Sequence, residues 1–221
     1  MVRKLLIFDF DGTLYRGDEP FRWYAHCISQ FMQAGQASEY LKLVDRHLDG
    51  ESGVVAGDNW EAVVALAKRW VPEGDRWQEA FLTTRAYMMS DACPLEVPEG
   101  LSELLAYAAG KVRLVVASNS PKQAAEPLLD KLRLSPYFDA IVSDADKPKG
   151  LLRLGEKWGS HLSADQIFCV GDNYSNDIAP GLALGWKTAH ISPHGYFPGP
   201  ADFQVQRLEE VIPAIRSWIA G

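Results

Sequence analysis

Cysteine and long apolar runs are scarce in this chain of 221 residues. The three cysteines, Cys27, Cys93 and Cys169, lie far apart and form no C-x-x-C pair. We therefore expect buried free thiols in a reducing compartment, and neither a zinc site nor redox chemistry. No apolar run reaches the length of a membrane span, and no signal peptide precedes the first predicted strand, so we expect a soluble, cytoplasmic protein.

Clusters of basic residues are also missing. The chain has 22 Lys and Arg against 29 Asp and Glu, which gives a net charge of −7. A nucleic-acid-binding protein normally carries a basic patch, so we expect no nucleic-acid partner. An acidic protein that binds phosphate must neutralise it locally, with a metal ion, a lysine or helix N-termini. The sequence carries no signal for the oligomeric state.

The chain is organised around residues 9–13, Asp-Phe-Asp-Gly-Thr. They directly follow residues 4–8, Lys-Leu-Leu-Ile-Phe, a run that is apolar after its lysine. This run predicts a strand buried on both faces. Asp9 and Asp11 have the i, i+2 spacing that points two side chains the same way, and Gly12 permits a sharp turn. Two carboxylates this close repel each other unless a cation or a proton lies between them. Alone the motif is weak, because Asp and Gly are common in turns.

Residues 17–92 predict four helices and no strand, which suits a small antiparallel bundle. We expect the second helix to begin near Ser38, Asp58 and Glu61 to form a capping box at the third, and Asp75 to open the fourth. Residues 1–16 and 93–221 instead alternate strand and helix. This pattern predicts an α/β core, a Rossmann-like parallel sheet covered by helices on both faces, with the helical segment inserted as a cap domain.

Three later strand ends carry further polar groups, and each group alone has an ordinary explanation. Ser118 and Asn119 follow a predicted strand and could form either a helix N-cap or an anion-binding site. Lys147 follows the next strand and could be a solvated loop lysine. Asp172 and Asp177 follow a fourth strand, in a polar turn that also suits Mg²⁺. Together, four strand ends supply acids, a hydroxyl, a lysine and more acids at one sheet edge, the parts of a metal-assisted phosphoryl-transfer site.

At this point the sequence resembles the haloacid dehalogenase superfamily. Residues 9–13 match its first motif, Ser118 with Asn119 its second, Lys147 with Pro148 its third, and residues 171–177 its fourth. The helical insert resembles the small cap of the phosphoglycolate phosphatase-like subfamily. Lys149 is an alternative to Lys147, and Gly150 stands where relatives often carry a second proline.

The resemblance implies a role for each of these residues. Asp9 is the expected nucleophile, which forms a phosphoaspartate, and Asp11 the expected general acid and base. Mg²⁺ is expected on the Asp9 carboxylate, the Asp11 backbone carbonyl and Asp172, with Asp177 bound directly or through water. The remaining expected groups hold the phosphoryl oxygens or the first loop: Ser118, the Asn119 backbone, Lys147 and Thr13.

The expected function is that of a phosphatase for a small phosphorylated metabolite. Asp11 disfavours a dehalogenase, since dehalogenases of this superfamily lack an acid there. The alternatives are a sugar-phosphate mutase with the same cap, a receiver-like Mg²⁺-binding phosphoacceptor module and an inactive scaffold. In a receiver the phosphorylated Asp follows a later strand, and no long helical insert interrupts the fold. Specificity is expected in the cap, with the loop of residues 50–59 and Arg16 or Arg22 as candidates.

Overall fold

The computed structural model describes residues 4–72 and 74–221. The chain divides into two compact units. One, the sheet unit, contains the residues up to Arg16 together with Val97–Gly221, and the other, the helical unit, contains Gly17–Glu96. The chain thus returns to the sheet unit at 96/97, a few residues beyond the 92/93 boundary expected from the sequence.

The sheet unit is built on a parallel sheet of six strands in the order β3-β2-β1-β4-β5-β6. Each neighbouring pair is parallel. The predicted α/β class with a Rossmann-like parallel sheet is confirmed. The strands are β1 (Leu5–Phe8), β2 (Arg113–Ala117), β3 (Ala140–Val142), β4 (Ile167–Gly171), β5 (Lys187–Ile191) and β6 (Phe203–Val205).

Helices lie between consecutive strands from β1 to β5, and a further helix follows β6, so that helices cover the sheet. They are α5 (Leu101–Ala108), α6 (Lys122–Lys131), α7 (Lys149–Gly159), α8 (Ala179–Ala183) and α9 (Leu208–Ala220). Short 3₁₀ turns lie at Ser135–Tyr137 and Ala164–Gln166, and a π-helical turn lies at Tyr174–Ile178. Leu5 and Ile7 of β1 pack in one cluster with Leu151 and Leu154 of α7, so α7 covers one face of the sheet.

Strand β1 lies in the middle of the sheet, between β2 and β4. Its four residues are buried, as expected for an apolar run that packs on both faces. The backbone N–H of Asp9 still bonds to the carbonyl of Val170, at 2.8 Å, so the first motif begins where the strand pairing ends. The carboxyl ends of β1 to β4 therefore meet at one sheet edge, where ligands bind in open α/β sheets.

The helical unit contains α1 (Glu19–Ser29), α2 (Ala34–Leu48), α3 (Asn59–Ala67) and α4 (Asp75–Met89). Its core is formed by apolar residues at helical spacing, among them Tyr24, Ile28, Tyr40, Val44 and Val63. The Tyr40 hydroxyl donates to the carbonyl of Val63 at 3.1 Å, which satisfies its polar end inside the bundle. In the described parts of the chain, every helix is too short or too polar to span a bilayer.

One predicted helix start in this unit is wrong. Helix α2 begins at Ala34, not near Ser38, because Gln33 and Gln36 form a reciprocal capping box with each other's backbone and side chain. Glutamine is not among the favoured N-cap residues, which is why the sequence pattern missed it. Helix α4 begins at Asp75, as predicted. Its N-cap is Gly74, and no side-chain hydrogen bond caps it.

The start of α3 follows the prediction in part. The Asp58 carboxylate accepts from the Glu61 N–H at 2.8 Å, as an N-cap does. The Glu61 carboxylate accepts from the Gly57 N–H at 2.9 Å, one residue before the position that a capping box uses.

The three cysteines are free, with Cys93 and Cys169 buried and Cys27 partly buried.

Candidate active site

Three charged side chains from three strand ends meet beside β1. The Lys147 ammonium donates to Asp9 Oδ1 and to Asp177 Oδ1, at 2.6 Å in both cases. All three side chains are buried, with exposed fractions of 3% for Lys147, 9% for Asp9 and 1% for Asp177. Asp9 follows β1, Lys147 lies between β3 and α7, and Asp177 lies in the π-helical turn after β4. The strand ends thus bring these residues together as the sequence predicts.

Burial and charge act against each other in this cluster. Burial raises the pKa of Asp9, Lys147 lowers it, and Asp177 and Asp11 raise it again, which leaves the pKa at about 7. Burial alone would lower the pKa of Lys147, but Asp177 and Asp9 outweigh it and raise the pKa above its usual value. The lysine is therefore charged, and the crowded carboxylates favour a further positive charge beside them.

The residues present fit a divalent cation. Asp9, Asp172 and Asp177 each offer a carboxylate oxygen, and these oxygens lie within 4.8 Å of one another. Two glycines leave room for the acids, because a Cβ on Gly12 would overlap the Asp172 carboxylate and one on Gly171 would overlap that of Asp177. Gly12 also has a φ of +80°, which other residues rarely adopt. A set of carboxylate oxygens is what Mg²⁺ prefers.

Asp11 is held separately from this cluster by two hydroxyl groups. The Tyr15 hydroxyl donates to Asp11 Oδ1 at 2.8 Å, and the Ser120 hydroxyl donates to Oδ2 at 2.7 Å. Sequence reasoning missed both donors. Tyr15 lies four residues after Asp11, and Ser120 follows the second motif directly, so the available signals were this spacing and the run Ser118-Asn119-Ser120.

Asn119 and Ser118 also make contacts that the sequence did not reveal. The Asn119 amide Nδ2 donates to the Lys147 carbonyl at 3.0 Å, and the Lys147 N–H donates to Asn119 Oδ1 at 2.7 Å. Ser118 is buried, and its hydroxyl oxygen accepts from the Ser120 N–H at 3.0 Å. The Thr13 hydroxyl lies 3.5 Å from Asp9 Oδ2. The second motif therefore shapes both the Asp11 site and the backbone of Lys147.

The two candidate lysines differ in position. Lys147 is buried at the carboxylates, whereas Lys149 is exposed at the start of α7. Gly150 follows, and a Cβ there would overlap the carbonyl oxygen of Ala145. Glycine at this position therefore lets α7 begin close against the loop that carries Lys147.

Within the helical unit, His47 organises the glycine-containing loop between α2 and α3. Its Nδ1 lies 2.7 Å from the Ser52 hydroxyl, and its Nε2 lies 3.2 Å from Asn59 Oδ1. One imidazole thus joins both sides of the loop. Arg22, one of the arginines expected to matter for specificity, forms ion pairs with Asp45 and Asp49.

Comparison with known proteins identifies the family of the chain. Residues 3–185 match the family of haloacid dehalogenase-like hydrolases. The chain belongs to this family. Membership excludes the receiver-like alternative, since the acids of the first motif follow β1 and the helical unit interrupts the fold.

Relatives of this haloacid dehalogenase-like hydrolase include the phosphoglycolate phosphatase of Escherichia coli K12, which is 28% identical over 114 residues. That match covers 46% of this chain and 44% of the relative. Among solved structures, YfnB of Bacillus subtilis, described as a HAD hydrolase bound to magnesium, has a TM-score of 0.66 at 17% identity over 97% of this chain and 99% of its own. A predicted phosphoglycolate phosphatase from Haemophilus somnus has a TM-score of 0.65 at 20% identity, with the same coverage of 97% and 99%. The two structures show that the fold is shared.

One residue of this haloacid dehalogenase-like hydrolase was not expected at the site. His190 of β5 is buried, and its Nε2 lies 3.0 Å from the backbone carbonyl of Asp172. Because a carbonyl only accepts, Nε2 carries the proton. Burial lowers the pKa of His190, which favours the neutral ring. No sequence pattern indicates this contact, since a single histidine in a strand is usually a core residue.

Proposed function

We propose that this protein is a Mg²⁺-dependent phosphatase that hydrolyses a small phosphorylated metabolite through a phosphoaspartate. The proposal rests on the different surroundings of two acids. The Asp9 carboxylate accepts a hydrogen bond from Lys147 and lies beside the carboxylates of Asp172 and Asp177. The Asp11 carboxylate, two residues later, accepts hydrogen bonds from the Tyr15 and Ser120 hydroxyl groups. A nucleophile and a proton donor thus come from one motif but occupy different surroundings. The names of the relatives, a phosphoglycolate phosphatase and a hydrolase bound to magnesium, support the same function.

In the first step, a carboxylate oxygen of Asp9 attacks phosphorus and the bond from phosphorus to the leaving oxygen breaks. Asp11 donates its proton to that oxygen, so the product leaves as an alcohol. Asp9, Asp172 and Asp177 would hold Mg²⁺, which when bound would offset the negative charge of the phosphoryl group and of the acids. Lys147 adds a second positive charge beside Asp9, where it stabilises the charge that moves onto the phosphoryl oxygens.

In the second step, ionised Asp11 accepts a proton from a water molecule whose oxygen attacks the phosphoaspartate. The bond between the Asp9 oxygen and phosphorus breaks, which releases inorganic phosphate and restores the Asp9 carboxylate. Asp11 ends the cycle protonated, as it began. Ser118 and the Asn119 backbone bind phosphoryl oxygens in both steps, and Thr13 supports the loop of the first motif.

The charge of the chain supports a small molecule as the substrate. With 29 acidic and 22 basic residues, the protein lacks the basic excess that nucleic acid or an anionic membrane surface would attract, so we propose a small metabolite as substrate. Its cysteines are free thiols, which suits a reducing compartment, and we propose the cytoplasm as its location. We assign substrate selection to the helical unit, as a cap domain, with the loop between α2 and α3 as its specificity element.

The test is phosphate release from a panel of phosphorylated metabolites, including 2-phosphoglycolate, and from an aryl phosphate. We expect turnover with Mg²⁺, loss of turnover in excess chelator, recovery on adding Mg²⁺ back, and inhibition by Ca²⁺, whose larger coordination number would hold Asp9 in a poorer geometry for attack. Undiminished turnover in chelator, with the metal content confirmed to be nil, would contradict the metal requirement. Isomerised sugar phosphate without phosphate release would identify the mutase alternative.

A further inference from the structure

We propose that His190 is a positioning residue for the metal site: its Nε2–H holds the backbone carbonyl of Asp172 and thereby fixes the Asp172 carboxylate for Mg²⁺. This inference rests on the proposed function, because it concerns the affinity of the same cation. It adds a residue from β5, a strand that contributes none of the four sequence motifs.

The first support is the direction of the hydrogen bond. Asp172 is the first residue after β4, and β5 is the next strand in the sheet, with Gly171 paired to His190. The His190 side chain therefore reaches across to the neighbouring strand end and donates to the Asp172 carbonyl at 3.0 Å. This hydrogen bond restricts rotation of the Asp172 backbone. Without it, such a rotation would move the Asp172 carboxylate away from Asp9 and Asp177.

The second support is an unpaired nitrogen. His190 Nδ1 is buried and has no hydrogen-bond partner among the described residues. Leaving a buried acceptor unpaired is unfavourable, so a purely apolar side chain would stabilise this position better if packing were its only purpose. The hydrogen bond from Nε2 to the Asp172 carbonyl accounts for a polar ring here.

The third support is the packing that fixes the ring. The ring centroids of Tyr174 and His190 lie 5.5 Å apart. Those of Phe197 and His190 lie 5.3 Å apart, in an edge-to-face arrangement. A Cβ on Gly199 would overlap the Tyr174 hydroxyl, so the loop after β5 lies close against this cluster. Outer groups that orient metal ligands typically change metal affinity by 10- to 100-fold when they are removed.

The experiment measures Mg²⁺ binding to the metal-free protein by calorimetric titration, and separately by the rise of the thermal midpoint with Mg²⁺. His190→Leu removes the donor. His190→Gln keeps a side-chain N–H at about the reach of Nε2. Thr188→Val is the matched control: Thr188 is buried two residues earlier on β5 and bonds to Asp202, at 3.0 Å through its backbone N–H and 3.1 Å through its hydroxyl.

We expect His190→Leu to raise the Mg²⁺ dissociation constant at least about 10-fold, and His190→Gln to stay within about threefold of wild type. Thr188→Val should lower the thermal midpoint and leave the dissociation constant unchanged. In turnover, His190→Leu should raise the Mg²⁺ concentration for half-maximal rate while kcat at saturating Mg²⁺ changes little.

Should His190→Leu fail to fold, His190→Asn provides the second test, because its amide is too short to reach the carbonyl. An unchanged dissociation constant in the folded donor-less variant, or an equal loss in Thr188→Val, would overturn the role of His190 while leaving the proposed function intact. Absence of Mg²⁺ binding by the wild-type protein would overturn both, which separates the two failures.

Discussion

The side-chain amide of Asn119 is bonded twice to the backbone of Lys147, accepting from its N–H at 2.7 Å and donating to its carbonyl at 3.0 Å. This pair joins the end of β2 to the loop that follows β3. The Lys147 ammonium lies at the end of a long side chain, so its position over Asp9 depends on where the backbone is held. Asn119 can therefore affect catalysis through its side chain as well as through its backbone N–H.

We expect Asn119→Ala to lower kcat on an aryl phosphate about 10-fold, because Lys147 loses both backbone bonds while the Asn119 backbone N–H remains. The deciding measurement is a double-mutant cycle with Lys147→Ala. If Asn119 acts through Lys147, its substitution should cost little once the lysine is gone. Independent, additive losses would show that the amide contacts the substrate instead.

We expect Lys147→Ala to lower kcat by about 10²-fold or more, since it removes a charge aimed at the phosphoryl group. Lys149→Ala is the matched control and should stay close to wild type, because Lys149 is exposed. Both are measured as phosphate release at saturating Mg²⁺, with folding checked by circular dichroism. A larger loss from Lys149→Ala would mean that the third motif is wrongly aligned.

Gly150→Ala and Gly35→Ala should have opposite effects on stability, although each is the second residue of a helix. A Cβ at Gly150 would overlap the Ala145 carbonyl, so we expect a loss of about 1–3 kcal/mol and reduced activity through the displaced Lys147 loop. A Cβ at Gly35 meets nothing within 4 Å, so we expect a gain of about 0.4–1 kcal/mol. Thermal midpoints of the two variants decide the matter, and equal shifts would contradict the packing at Gly150.

The parts of the fold that could be predicted are those that local physics decides. An apolar run such as Leu5–Phe8 has few other ways to bury its side chains than a central strand, and its end determines where Asp9 lies. The same reasoning placed Lys147, Asp172 and Asp177 at one edge, because parallel strands end together. The start of α2 was missed, since Gln33 and Gln36 cap it with a residue type that carries little signal.

The contacts that could not be predicted depend on side-chain directions between distant segments. Nothing local distinguishes Ser120, which bonds to Asp11, from the many serines that cap helices. His190 bonds to Asp172 only because β5 pairs with β4 in the observed register. Such contacts are set by tertiary packing, which a pattern along one sequence does not contain.

The loop between α2 and α3 should matter more for the metabolite than for a generic ester. His47 bonds to Ser52 and Asn59, so His47→Leu would release both sides of the loop. If this loop contacts the leaving group, kcat/KM for the best metabolite should fall far more than kcat/KM for an aryl phosphate. Shortening the loop between Gly50 and Gly57 should act in the same direction. Equal losses on both substrates would place specificity elsewhere.

Asp11→Asn should separate the two chemical steps. The amide is nearly isosteric, and its Oδ1 still accepts a hydrogen bond from either Ser120 or Tyr15, so folding should survive. The amide cannot exchange a proton. An aryl phosphate has a leaving group stable enough to depart without an acid, so Asp9 can still be phosphorylated, whereas hydrolysis of the phosphoaspartate lacks its base.

Asp11→Asn should therefore release about one phenolate per enzyme in a burst and then slow greatly, as a trapped covalent intermediate does. Asp9→Asn is the matched control and should give no burst, because it lacks the nucleophile. Rapid-mixing absorbance on both variants makes the comparison. Steady wild-type turnover from Asp11→Asn would remove Asp11 from proton transfer, and a burst from Asp9→Asn would move the nucleophile to another residue, so the two roles are tested separately.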